Sequence, residues 1–116
     1  MIFIGYPKCS TSNKAQKWLD DKGIPYTFRH IKDDQPSIEE LSAWQQMSGL
    51  PMKRFFNTSG LKYKELQLKE RLPEMSLDEQ LALLASDGML VKRPIVVGDG
   101  FVLVGFKEAE WAEIVK

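Results

Sequence analysis

The sequence predicts an α/β fold in the order βαβ, a helical block, then ββα. Three observations carry this. An apolar run, a helical stripe and an alternating run follow one another between Ile2 and Ile31. Ser-x-x-Glu capping boxes punctuate the middle of the chain, at Ser37-Glu40 and Ser76-Glu79. β-branched runs then flank Gly98-Asp99-Gly100, the signature of a hairpin. At 116 residues the chain is long enough for one cored domain and too short for two. Residues 1–32 and 89–116 are expected to form the sheet core, with residues 33–88 a helical insertion packed on it.

In chain order, Ile2-Phe3-Ile4 reads as a short buried strand closed by Gly5 and Pro7. From about Asn13 the period changes. Ala15, Trp18, Leu19 and the stem of Lys22 share one helical face, and Gly23 stops it. Residues 25–31 alternate as a half-buried strand should, and a strand–helix–strand unit favours parallel pairing with a right-handed crossover. Beyond the Ser37 cap, Ile38, Leu41, Trp44 and Gln45/Ser48 keep helical spacing as far as Gly49. Residues 52–57 and 61–68 read as short helical pieces separated by the turn cluster Asn57-Thr58-Ser59-Gly60. Leu77, Leu81, Leu84 and Ala85 form the next stripe, which ends at Gly88. After the hairpin, residues 108–115 make an amphipathic helix with acidic residues near its positive end. Trp18, Trp44 and Trp111 each fall on an apolar stripe and are expected in the core.

Lys+Arg and Asp+Glu each number 16, so the formal net charge is zero. That balance argues against binding nucleic acid through its phosphates, although Lys53-Arg54 and Lys92-Arg93 are local basic pairs. A single cysteine excludes an intramolecular disulfide. No apolar run approaches the roughly 18 residues of a membrane span. The first residues lack the basic and apolar regions of a secretion signal. A reducing cytoplasm, away from membranes, is the expected compartment.

The chemistry concentrates at Cys9, which lies between the first strand and the first helix. A helix start lowers a thiol pKa, because its amide N–H groups are unpaired and its dipole is positive there. Lys8 adds a neighbouring charge, and Ser10, Thr11 and Ser12 add hydroxyl donors. The pattern is Cys-x-x-Ser, so a serine stands where a dithiol enzyme has its second cysteine. Any disulfide made by Cys9 therefore joins another molecule. Two readings stay open on these residues alone: a reactive thiol, or a small buried filler among hydroxyls that merely cap the helix.

Near the other end, Lys92-Arg93-Pro94 precedes a strand. Arg93 offers a planar fork of donors to an oxyanion or thiolate, or is simply exposed. Proline in this position takes either isomer, and the sequence leaves that open. His30 reads as a partly buried strand residue with no Cys or Asp partner in view, so neither a metal nor a triad role is expected.

Taken together, "YPKCSTSNKAQKWL", "KRPIVV" and "VGFKEAEW" in this order resemble the arsenate reductase ArsC/Spx/YffB family over essentially the whole chain. The resemblance implies a thioredoxin-like fold with an inserted helical subdomain, a reactive Cys9 and a cis Pro94. It also implies oxyanion-binding roles for Ser12 and Arg93. Two further arginines of the arsenate reductases fall at Asn57 and Gly105, neither of which supplies a cation; Lys53 and Arg54, a turn away, are the expected substitutes. Each charge-assisted hydrogen bond to an oxyanion is worth about 1.5–3 kcal/mol, so efficient arsenate reduction is not expected. The Spx branch implies docking on the C-terminal domain of the RNA polymerase α subunit. Its Cys-x-x-Cys switch is excluded by Ser12. Within the family the chain is most similar to the uncharacterised, Spx/MgsR-related branch.

The expected function is a cytoplasmic monothiol oxidoreductase. Cys9 thiolate attacks a disulfide, a thiol adduct or a small oxyanion. Lys8, Ser10, Thr11, Ser12 and Arg93 stabilise charge, and Pro94 shapes the groove. A low-molecular-weight thiol or a glutaredoxin-like protein restores the thiol. No metal, nucleotide or flavin is implied. The alternatives are an Spx-like regulator and a family member whose thiol is inert.

Overall fold

Successive residues of a strand face opposite sides of its sheet, and here that alternation sorts the core into two clusters. The computed structural model describes residues 1–115. Strands β1 (Ile2–Gly5), β2 (Thr27–His30), β3 (Ile95–Gly98) and β4 (Phe101–Val104) form one sheet in the order β2-β1-β3-β4. β1 pairs parallel to β2 and antiparallel to β3, and β3 pairs antiparallel to β4. One face presents Phe3, Val96 and Leu103 to helices α1 (Ser10–Asp21) and α6 (Glu108–Ile114). There Trp111 is fully buried, with its ring 4.8 Å from that of Phe106 and 5.9 Å from that of Trp18.

The other face presents Ile4, Ile95, Val102 and Val104 to the middle of the chain. That segment contains α2 (Ile38–Ser48), a 3₁₀ turn at Met52–Phe55, α3 (Leu61–Glu65), α4 (Leu68–Arg71) and α5 (Leu77–Ser86). Its buried residues, among them Leu41, Trp44, Phe55, Phe56 and Leu84, share one continuous core with the sheet. Phe56 bridges to Val91, which ties this segment to the stretch leading into β3. A Cβ on Gly88 would overlap the Ile31 carbonyl, so only glycine lets the end of the helical segment lie on the end of β2.

Both capping boxes close: Ser37 and Ser76 each accept from the amide three residues on, and Glu40 and Glu79 accept from the cap amides. The hairpin turns at Asp99-Gly100, where Gly100 has φ +84°. Other boundaries differ from the sequence reading. The first helix starts at Ser10, one turn before Asn13. Its hydroxyl residues point partly into the fold, and only the later ones carry the apolar stripe. Lys22 lies just past the helix, with its ammonium 5.0 Å above the Trp18 ring. Strand β2 is short and sits at the sheet edge, with Phe28 half-exposed. Ile38 and Leu77 are exposed, because the first turn of each capped helix stands clear of the core. The piece expected at 61–68 breaks at Gln67, whose φ of 54° is left-handed, and a new helix starts at Leu68. The last α-turn before Gly88 ends at Ser86, and residues 88–90 form a 3₁₀ turn.

Edge and insertion are locked together by Arg29. Its guanidinium binds both carboxylate oxygens of Glu40, at 2.6 and 2.9 Å, and lies 5.8 Å above the Trp44 ring. Hydrogen bonding to Arg29 holds the Glu40 carboxyl well below its usual range, at about 2, against burial that pushes it up. A depressed carboxylate pKa stabilises the fold above the unfolded value, and that stability is lost as pH falls through the folded value. Glu40 is 38% exposed, so solvent screens the pair. Glu40→Gln should therefore cost about 1 kcal/mol at pH 7. Denaturation measured as a function of pH should show that gap closing between pH 4.5 and about 2.

Candidate active site

The first turn of α1 begins on Cys9, which occupies the N-cap with φ −101° and ψ 119°. A turn closed by the Cys9 amide to the Tyr6 carbonyl (2.9 Å) delivers the chain from β1, and the Cys9 carbonyl accepts the Asn13 amide (3.0 Å). Ser12 is buried; its hydroxyl accepts the Tyr6 amide at 3.3 Å. The thiol makes no side-chain cap hydrogen bond. The free ends of the helix amides are therefore left facing the sulfur.

Cys9 is partly exposed, unlike a core filler. Burial pushes its thiol pKa up. The Ser12 amide and hydroxyl, the Arg93 charge and the Thr11 amide together outweigh that and hold it below the ordinary value. Arg93 comes from the far end of the chain. Its Nη1 donates to the Met89 and Val91 carbonyls at 3.5 and 3.4 Å, and its guanidinium lies 5.3 Å above the Tyr6 ring. Arg93 Nε is buried with no partner. The Arg93–Pro94 peptide is cis.

A cleft of about 680 Å³ opens in front of the sulfur, lined in part by Cys9, Ser10, Thr11, Asn57 and Arg93. Ser12 stands behind the sulfur, outside the cleft wall. Lys8 is exposed and absent from the cleft lining, and the forces that set the Cys9 pKa come from other residues. Pro94 is buried, and its carbonyl accepts the Gly105 amide at 2.8 Å. Lys53 and Arg54, expected to replace two arginines, project from the 3₁₀ turn and do not line the cleft. The cations that do, besides Arg93, are Lys92 and Lys62, accompanied by Glu65 and Asp87. Lys92 was visible beside Arg93; the residues of α3 carried no local signal, because only tertiary packing brings them here. His30 is partly buried, and Asp33, three residues on, supplies the carboxylate the sequence reading did not find, 3.8 Å from Nε2. Among the described residues no group of three His, Cys, Asp or Glu is placed to hold a metal ion. No described helix is long and apolar enough to cross a membrane.

A four-stranded sheet of this order, with a cysteine at the start of the first helix and a cis proline entering β3, is the thioredoxin-like arrangement. Residues 4–114 match the ArsC family, and the chain belongs to it. It is 55% identical to the uncharacterised protein YusI of Bacillus subtilis (strain 168), over 97% of this chain and 96% of that one. It is 31% identical to the global transcriptional regulator Spx of Enterococcus faecalis, over 90% and 77% of the two chains. The crystal structure of an ArsC family related protein from Bacteroides fragilis superposes with a TM-score of 0.94 and 59% identity, covering 97% and 94% of the chains. The arsenate reductase of Vibrio cholerae gives 0.87 and 30%, covering 98% and 96%.

Removing either support should raise the thiol pKa. Ser12→Ala and Arg93→Met are each expected to shift the pH profile of Cys9 alkylation upward, slowing it at pH 7 by about two- to fivefold.

Proposed function

We propose that this ArsC-family protein is a monothiol oxidoreductase in which Cys9 is the nucleophile. What supports the reading is the sulfur itself. It is partly exposed at the start of α1, its thiol pKa is lowered by the Ser12 amide and hydroxyl with Arg93, and it faces an open cleft.

The cycle has two displacements. Thiolate Cys9 attacks one sulfur of a disulfide, forming a mixed disulfide through Sγ as the other sulfur departs as a thiolate. A second thiol, from a low-molecular-weight thiol or a glutaredoxin-like protein, then attacks the mixed disulfide. Cys9 leaves as thiolate, and the new disulfide carries the incoming sulfur. Oxidation state is conserved across the protein, and no flavin, nucleotide or metal enters. The Ser12 donors and Arg93 stabilise Cys9 both as nucleophile and as leaving group, because the same anion forms at each end of the cycle. Ser10 and Thr11 line the approach. Ser12 cannot resolve the mixed disulfide from within, so the external thiol is obligatory.

A small oxyanion is the weaker substrate on this reading. Asn57 lines the cleft as a neutral amide. Gly105 is buried with φ +79°, a backbone state that resists an arginine there.

Cys9→Ser replaces the N-cap with a better capping residue, so it should fold at least as stably as the parent. It should lose disulfide exchange with a low-molecular-weight thiol altogether; retained exchange would remove the proposal. The likeness to Spx supports a second reading, a regulator that docks on the C-terminal domain of the RNA polymerase α subunit. Capture of that domain by the purified protein in reduced or oxidised form is the expected outcome of this reading, and failure in both forms eliminates it.

A further inference from the structure

We infer that Lys92 is the residue that selects an anionic group on the molecule attacked by Cys9. The inference rests on the oxidoreductase reading and assigns its substrate a negative charge near the reacting atom.

The placement of Lys92 carries it. Lys92 lines the same cleft as Cys9 and Arg93. Its Cε lies 3.5 Å from the point where a Cβ on residue 105 would sit. A Cβ there would only touch the stem, and the φ of +79° at Gly105 disfavours any side chain, so the lysine stem runs along bare backbone. The backbone leading into Lys92 is anchored to the helical segment. The Lys92 amide donates to the Phe55 carbonyl at 2.8 Å, and Val91 before it bridges to Phe56. Lys92 is half-buried, and no salt bridge among the described residues includes it. A half-buried lysine that forms no salt bridge with a described carboxylate, on an anchored backbone in the cleft that Cys9 also lines, is ready for an anion brought by the substrate.

Lys92 and Arg93 divide the work. Arg93 acts on the sulfur, and Lys92 is absent from the forces that set the Cys9 thiol. Removing the Lys92 charge should leave the nucleophile as it is and weaken only the recognition of a charged reagent.

Iodoacetate and iodoacetamide separate these roles, since they differ little in size and one carries a carboxylate. Each forms a carbon–sulfur bond to Cys9 as iodide leaves with the bonding pair. The readout is the ratio of the two rate constants. Lys92→Met, which keeps the stem and removes the charge, should lower the ratio about three- to tenfold, with the iodoacetamide rate and its pH midpoint unchanged. Lys92→Arg should keep most of the ratio, and Lys53→Met, outside the cleft, all of it. In the unaltered protein the ratio should fall as ionic strength rises from about 0.02 to 0.5 M. An unchanged ratio in Lys92→Met, or equal slowing with both reagents, overturns the inference. Should that variant fail to fold, a salt-independent ratio in the unaltered protein does the same. A thiol midpoint at the ordinary value in the unaltered protein would remove the oxidoreductase reading instead, and the ratio would still judge Lys92.

Discussion

The arrangement depends on a helix that begins without a side-chain cap. α2 and α5 begin on serines whose hydroxyls satisfy an amide of the first turn, whereas α1 begins on a thiol that closes no such bond. A good cap is worth about 1 kcal/mol, and forgoing it leaves the amides of Thr11 and Ser12 directed at sulfur. The surrounding contacts compensate by fixing the turn. Asn13 reaches back to the Pro7 carbonyl at 3.0 Å, and the Tyr6 amide finds the Ser12 hydroxyl. Gly5 matters here as well, since a Cβ on it would lie 3.3 Å from Ser12 Oγ and 2.6 Å from the Phe3 ring. Local stability is exchanged for a favourable field at one atom.

The second half of that field comes through the sheet. β3 lies beside β1, so the residues entering β3 arrive next to the residues leaving β1. Arg93 is thereby stacked over Tyr6, with carbonyls of the preceding turn at its Nη1. The helical segment reaches the same place from the opposite side. It supplies Asn57, Lys62 and Glu65 and makes a cleft of what would otherwise be an open strand end.

Much of the fold could be read locally, because its signals are local. Capping boxes and a two-residue turn depend on neighbours within a few positions and form as their spacing demands, whereas the alternating run at 25–31 yields only a short edge strand whose burial does not alternate. Cys9 was legible for the same reason, with strand, turn and helix start adjacent in sequence. The left-handed Gln67 gives no such signal, since nothing in its composition marks it as a helix break. Ile38 and Leu77 misled because an apolar residue in a first turn fits the stripe without reaching the core. Lys53 and Arg54 misled in a related way: nearness in sequence to Asn57 does not aim their side chains, and the 3₁₀ turn points them away. The contact of the Lys92 stem with Gly105 joins two segments, and neither residue announces the other.

The thiol and its guanidinium are separated by most of the chain, and the interval contributes to the cores on both faces of the sheet. A chain that ends before β3 therefore lacks the guanidinium that helps lower the Cys9 thiol pKa. The full electrostatic support of that sulfur exists only once β3 has docked against β1.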